Sequence, residues 1–174
     1  WWRERRLGTL RRLVYAPGQL GNFIAGKALA AVVIIAAVGG FTLVIGFLYH
    51  DISWLKLPSS LLWISISGVA LFAWFAALQM MFSDQKTANI ISSMLLFPLL
   101  MAGGSFFPLA VMPGWIAAIG RASPNGFVAD RLTTEITAAG SWAIDLNSWL
   151  VVIAGAVLGL AVCAWRLRSG FARA

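Results

Sequence analysis

The stretch ALAAVVIIAAVGGFTLVIGFLY, Ala28 to Tyr49, runs for 22 residues without a single charge. A helix rises 1.5 Å per residue, so about 20 residues cross the roughly 30 Å of a bilayer's hydrocarbon core. In lipid every backbone amide must bond inside its own segment or within a closed barrel, and a run this continuous lacks the in-out alternation of barrel strands. The stretch therefore reads as a transmembrane helix. Three further uncharged runs follow at Leu61–Phe82, Ala88–Phe107 and Ser148–Trp165, of 22, 20 and 18 residues. Together the four fill nearly half of a 174-residue chain. The expected fold is all-α: one polytopic membrane bundle over residues 1–174, with spans at 28–49, 61–82, 88–107 and 148–165.

Composition agrees with lipid as the solvent. Hydrophobic residues make up 60% of the chain and the mean hydropathy is +0.86, beyond what a water-soluble core needs around it. The net charge of +7 would suggest nucleic acid in a soluble protein, but the basic residues flank apolar spans and lack interleaved base-reading side chains. No nucleic-acid partner is expected; the bilayer is. Arg3, Arg5, Arg6, Arg11, Arg12, Lys27, Lys86, Arg166, Arg168 and Arg173 fall on one side of the spans, against Lys56, Arg121 and Arg131 on the other. The positive-inside rule then puts both termini in the cytoplasm; the membrane expected is the plasma (inner) membrane.

Chemistry-bearing residues are sparse. The spans hold no Asp, Glu, Lys, Arg or His, which disfavours intramembrane catalysis, phosphotransfer and proton relay. Cys163 is the single cysteine and has no disulfide partner. His50 has no second ligand at metal-binding spacing, so no metal site is expected. Gly21 to Ala28 imitates a phosphate-binding loop as far as Lys27, but Ala28 replaces the Mg²⁺-binding hydroxyl and no strand precedes it. ATP, if used, is bound elsewhere. The polar residues in or beside the spans include Gln79, Asn89, Ser92 and Ser93, which either pair between helices or line a polar pathway. Gly155 and Gly159 form a small-xxx-small pair suited to close helix packing.

Outside the spans, residues 3–15 read as a short amphipathic helix, with Leu7, Leu10 and Val14 on one stripe and Arg5, Thr9 and Arg12 opposite. Pro17 and Gly18 end it, and a second helix starts near Gln19 and runs into the first span. Ser59 or Ser60 could cap the second span, and the five-residue turn Ser83–Thr87 makes the second and third spans antiparallel neighbours. Beyond Pro108, residues 109–120 are apolar but too short to cross and are broken by Pro113 and Gly114. A re-entrant outer helix is expected there, with Trp115 as interfacial anchor and a solvated remainder carrying Arg121, Asp130, Arg131, Glu135 and Asp145.

Two stretches carry a family resemblance. Glu4, Gly8, Thr9, Leu10, Arg12, Leu13, Pro17, Gly26 and Lys27 fall in the pattern acidic residue, Gly-Thr-Leu step, basic-apolar turn, Pro, Gly-Lys. Further on stand Gly103, Gly104, Phe106, Phe107, Pro108, Met112, Pro113, Trp115 and Pro124, followed by Asp130-Arg131. In this order and on these sides of the membrane, they resemble the transmembrane permease domain of type-2 ATP-binding-cassette (ABC) exporters. The resemblance covers the last four of that domain's six spans, so the chain is expected to be part of a longer protein. Arg11 stands where relatives often carry an acidic residue.

The resemblance implies an export permease that is not itself an enzyme. Residues 3–15 would be the coupling helix, with Glu4, Leu7, Gly8, Thr9, Leu10, Arg12 and Leu13 docking on a separate ABC ATPase that binds ATP and Mg. A second permease copy or homologue would complete a dimer. Gly103, Gly104, Phe106, Phe107, Pro108, Met112, Pro113 and Trp115 would form the outer gate, and a drug, lipid or polysaccharide would be the substrate. The alternative from the residues alone is a non-transporting membrane scaffold whose N-terminal helix binds lipid or a partner.

Overall fold

A computed structural model describes residues 19–107, 109–140 and 142–171. The expected coupling helix at 3–15 lies outside them, as does Pro108. Among the described residues there are six α-helices and no strand: α1 (Gln19–Tyr49), α2 (Leu57–Gln79), α3 (Gln85–Ala102), α4 (Gly114–Ala122), α5 (Pro124–Thr137) and α6 (Leu146–Phe171). Two single 3₁₀ turns, Trp54–Lys56 and Leu109–Val111, precede α2 and α4. The all-helical fold read from the sequence holds.

Three segments are long and apolar enough to cross a membrane: Gly21–Tyr49, Trp54–Gln79 and Leu146–Leu167. The third expected span is not among them. α3 ends at Ala102, five residues short of Phe107, and its N-terminal turns carry Gln85, Lys86, Thr87 and Asn89. Asp84 caps it, accepting the Thr87 amide at 2.9 Å. That capping bond lowers the Asp84 carboxyl below its ordinary value, because the amide favours the ionised form.

α2 is the central element, packing most extensively on α6 and α1. Small residues set these approaches. A Cβ on Gly159 of α6 would fall 2.9 Å from the Ala73 Cβ, and one on Gly68 of α2 would fall 2.7 Å from Ile35 of α1. Cys163 donates its thiol to the Ala73 carbonyl at 3.2 Å in the same α2–α6 seam. Close backbone approach replaces the hydrophobic effect as the cohesive term between helices in lipid. The outward faces stay covered with large apolar side chains, including Val33, Phe41, Leu150 and Val157.

Helix α2 starts at Leu57, four residues earlier than the apolar run suggests, since Pro58 fits a first helical turn where its missing N–H costs nothing. Its N-cap is Lys56, without a side-chain cap bond, and not Ser59 or Ser60. The expected re-entrant helix at 109–120 is two pieces, a 3₁₀ turn at Leu109–Val111 and α4, separated by Met112 and Pro113. Pro113 has no N–H to continue a helix and sits at the N-cap of α4 with φ −52° and ψ 141°.

In the stretch after Gly120, expected to be solvated, Arg121 and Asp145 are exposed, but Glu135 is buried and most of the segment is helical. Ser123 accepts the Gly126 amide at 3.1 Å and Pro124 occupies the first turn, so a 14-residue helix begins there. α5 packs along the N-terminal half of α2. The indole of Trp63, 0% exposed, donates to the Val128 carbonyl at 3.0 Å and lies edge-on to Trp149 of α6, ring centres 5.1 Å apart. α4 and α5 thus form a helical hairpin clasped by α2, α3 and α6.

Candidate functional site

The hairpin's grip on α2 begins with Glu135, near the end of α5 and 0% exposed. One carboxylate oxygen accepts the Ser59 hydroxyl and the Trp142 amide, the latter at 2.8 Å. The other accepts the amides of Ala143 and Ile144. Burial pushes this carboxyl up, but the hydrogen bonds from Ser59, Trp142, Ala143 and Ile144 outweigh it and hold the group below its ordinary value. Trp142 sits at φ +63°, a left-handed conformation that a bulky residue adopts only when its surroundings impose it. The carboxylate supplies that restraint.

Lys56, also buried, donates to the carbonyls of Ile136 and Ala138, the open end of α5. It satisfies orphan carbonyls and places a cation at the negative pole of the helix. One turn of α2 therefore holds α5 by both a donor to its carbonyls and a donor to its carboxylate.

A second polar group joins α5 to α6. Arg131 donates to the Ser148 hydroxyl at 2.9 Å and pairs with Asp130 at 3.1 Å and Asp145 at 3.6 Å. Asp145 caps α6, accepting the Ser148 hydroxyl at 2.7 Å and its amide at 3.0 Å, and these bonds lower its carboxyl from the ordinary value. Arg121 reaches Asp130 from the end of α4, at 3.8 Å.

At the expected outer gate, α3 closes in a Schellman motif. The Ser105 amide donates to Leu100 at 3.1 Å and the Gly104 amide to Met101 at 3.4 Å, with Gly104 at φ +82°. Gly103 has an ordinary φ of −76°; its role is space, since a Cβ there would fall 2.5 Å from the Asn125 amide nitrogen. Gly120 and Gly126 extend the same contact. A Cβ on Gly120 would lie 2.3 Å from the Ala102 carbonyl oxygen, and one on Gly126 would lie 2.0 Å from that of Gly120. Asn125 adds a hydrogen bond to Ser105 at 2.8 Å. The end of α3 is therefore seated, backbone against backbone, on the bend between α4 and α5.

The expected gate residues in the described segments divide into three groups. Gly103 and Gly104 build this seat. Phe106, Phe107 and Trp115 are exposed, with Phe106 6.0 Å from the Phe97 ring, while Met112 and Pro113 form the break before α4. Of the expected pathway residues, Gln79 lines a cavity of about 270 Å³ between α1, α2 and α6 that also includes Lys27 and Cys163. Asn89 and Ser93 are exposed on α3, and Ser92 is buried with no hydrogen-bond partner. None of these three lines that cavity. The ATPase-coupling residues Glu4, Leu7, Gly8, Thr9, Leu10, Arg12 and Leu13 lie outside the described residues. Glu135, Lys56 and Ser59 were missed as a site; the Ser123-Pro124 helix start was the signal that would have placed Glu135 on a helix.

Comparison with known proteins bears on this arrangement. The ABC-2 type transporter family model matches residues 2–130. The daunorubicin resistance ABC transporter permease protein DrrB1 of Streptomyces coeruleorubidus is 31% identical over 155 residues, which is 88% of this chain and 53% of that protein. The chain thus spans about half the length of the curated relative it matches. No solved structure matches it. With most of its length matched and three helices long enough to cross a bilayer, this chain belongs to the ABC-2 type transporter family, as part of a multi-pass membrane permease.

Proposed function

We propose that this chain is the membrane-embedded part of an ABC exporter that carries a drug-like amphiphile outward, powered by ATP hydrolysis in a separate nucleotide-binding subunit. The observation that carries the reading is the family match over residues 2–130, with its likeness to a daunorubicin resistance permease giving the substrate class. The permease itself is not catalytic; ATP and Mg belong to the partner. In this reading the segment 3–15 docks on the ATPase through Leu7, Leu10 and Leu13, with Glu4, Gly8, Thr9 and Arg12 around them. α3 makes the fourth crossing, with Pro98 inside it. Both termini of the chain face the cytoplasm of the inner membrane, and a second permease copy completes the pathway.

The fold suits such a machine. α2 grips α5 through Lys56, Ser59 and Glu135, while α5 and α4 hold the end of α3 through the glycine seat. Displacement of α2 by the coupling helix is therefore passed to the outer hairpin as a rigid-body movement. Phe106, Phe107, Met112, Pro113 and Trp115 ride on that hairpin as the outer gate, and Gln79 with Asn89, Ser92 and Ser93 lies toward the inner half of the pathway.

Purification of the full-length protein from its native membrane in mild detergent tests the reading. Co-purification of an ABC ATPase with vanadate-sensitive hydrolysis is expected. A protein that carries no ATP-hydrolysing partner and moves no drug would instead be the membrane scaffold.

A further inference from the structure

A cavity of about 410 Å³ opens between α2, α6 and the bend of the α4–α5 hairpin, and nothing in the export reading uses it. Its walls include Trp74, Phe127, Val152 and Gly155, and they are almost wholly apolar. Two polar groups interrupt them. Ser67 is 1% exposed and its hydroxyl has no hydrogen-bond partner. Arg121 stands at the rim with its side chain 60% exposed.

The charges around Arg121 leave it underused. Asp130 is its carboxylate neighbour, at 3.8 Å, but that same carboxylate lies nearer to Arg131, at 3.1 Å. Arg131 in turn is shared with Asp145 at 3.6 Å. A guanidinium offers five N–H donors in a fork that matches phosphate, and that of Arg121 is 60% exposed with its Asp130 neighbour 3.8 Å away. Ser67 lies ten residues into α2 from Leu57, about 15 Å along the helix, so the cavity reaches well into the membrane. An arginine at the edge of such a space calls for an anion, and an apolar slot of this volume lies within the range that holds a ligand's hydrocarbon.

We infer that this cavity binds an anionic phospholipid from the surrounding leaflet, its phosphate on Arg121 and one acyl chain along Trp74, Val152 and Gly155. The Ser67 hydroxyl then donates to an oxygen of the lipid's ester, which ends its isolation. The site rests on membrane insertion and not on the direction of transport or the identity of the drug. Gly155 supplies a direct way to fill it, because a Cβ there meets nothing within 4 Å while its carbonyl still accepts the Trp74 indole at 3.1 Å.

The test uses the full-length permease in nanodiscs containing phosphatidylglycerol or phosphatidylcholine with a photoreactive group on one acyl chain, and maps the crosslinked residues. Phosphatidylglycerol is expected to label the segments 71–74 and 151–155 at least threefold more than phosphatidylcholine. Arg121→Gln removes that preference, Arg121→Lys keeps part of it, and Gly155→Leu lowers labelling by both lipids. Each variant is checked for wild-type elution and unaltered labelling of α1, which separates loss of the site from loss of the fold. Equal labelling by the two lipids, a preference that survives Arg121→Gln, or labelling that survives Gly155→Leu would each overturn the assignment. So would absence of label at both segments because another part of the longer protein, or a second copy, covers them.

Discussion

The carboxylate of Glu135 accepts the hydroxyl of Ser59, tying the last turn of α5 to the first turn of α2 across 76 residues of chain. The same carboxylate also holds three successive amides of the loop that leads into α6. A single buried acid therefore fixes three elements at this end of the bundle.

Replacing it tests that role. Glu135→Gln retains one acceptor oxygen but turns the other into a donor facing the Ala143 and Ile144 amides, a mismatch of the kind that costs about 1–3 kcal/mol. Faster hydrogen exchange at 142–144 and along α5 is expected, with α1 unaffected. Ser59→Ala removes one bond of four and costs about 1 kcal/mol or less.

The pH dependence follows from the direction of the shift. The folded carboxyl titrates below its ordinary value, so its contribution is complete above that value and is lost as pH falls through the lowered one. Exchange protection of the 142–144 amides is expected to be flat from pH 8 to 5 and to drop only in stronger acid. In Glu135→Gln the part of the drop that Glu135 causes is lost, and what remains belongs to Asp145, whose carboxyl is also lowered by its bonds to Ser148.

Steric demand at the glycine seat makes a graded series. Gly120→Ala and Gly126→Ala each force a methyl into backbone, at about 1–3 kcal/mol for overpacking, and lower the yield of monodisperse protein. Gly114→Ala meets open space and is the control. At Gly104, with φ +82°, Asn is tolerated better than Val, because Asn enters the left-handed region more readily. Gly104→Val is expected to impair drug efflux more than assembly, measured by resistance against membrane level.

How much of this was legible in the chain depends on the length scale of the signal. The runs at Ala28–Tyr49 and Ser148–Trp165 announced themselves because hydrophobicity sums over twenty residues. α5 did not, since Asp130, Arg131 and Glu135 gave it the polarity of a loop, and only the Ser123-Pro124 start marked it locally. Its partners Lys56 and Ser59 are separated from it by two helices and the hairpin turn, a pairing no local pattern encodes. The end of α3 was misplaced for a related reason: Gly103 and Gly104 continue an apolar run, yet the Schellman turn stops the helix there. At Gly103 the backbone φ is ordinary, and it is the small size of the residue that admits Asn125.

The central claim is that an ATPase drives this permease through the segment 3–15. ATP-dependent drug accumulation in inside-out vesicles carrying the full-length permease and its ATPase tests it most directly, with Leu10→Asp placing a charge on the docking stripe. The account predicts that the variant inserts at wild-type level but loses both bound ATPase and accumulation. Undiminished ATPase binding and accumulation in Leu10→Asp would contradict it.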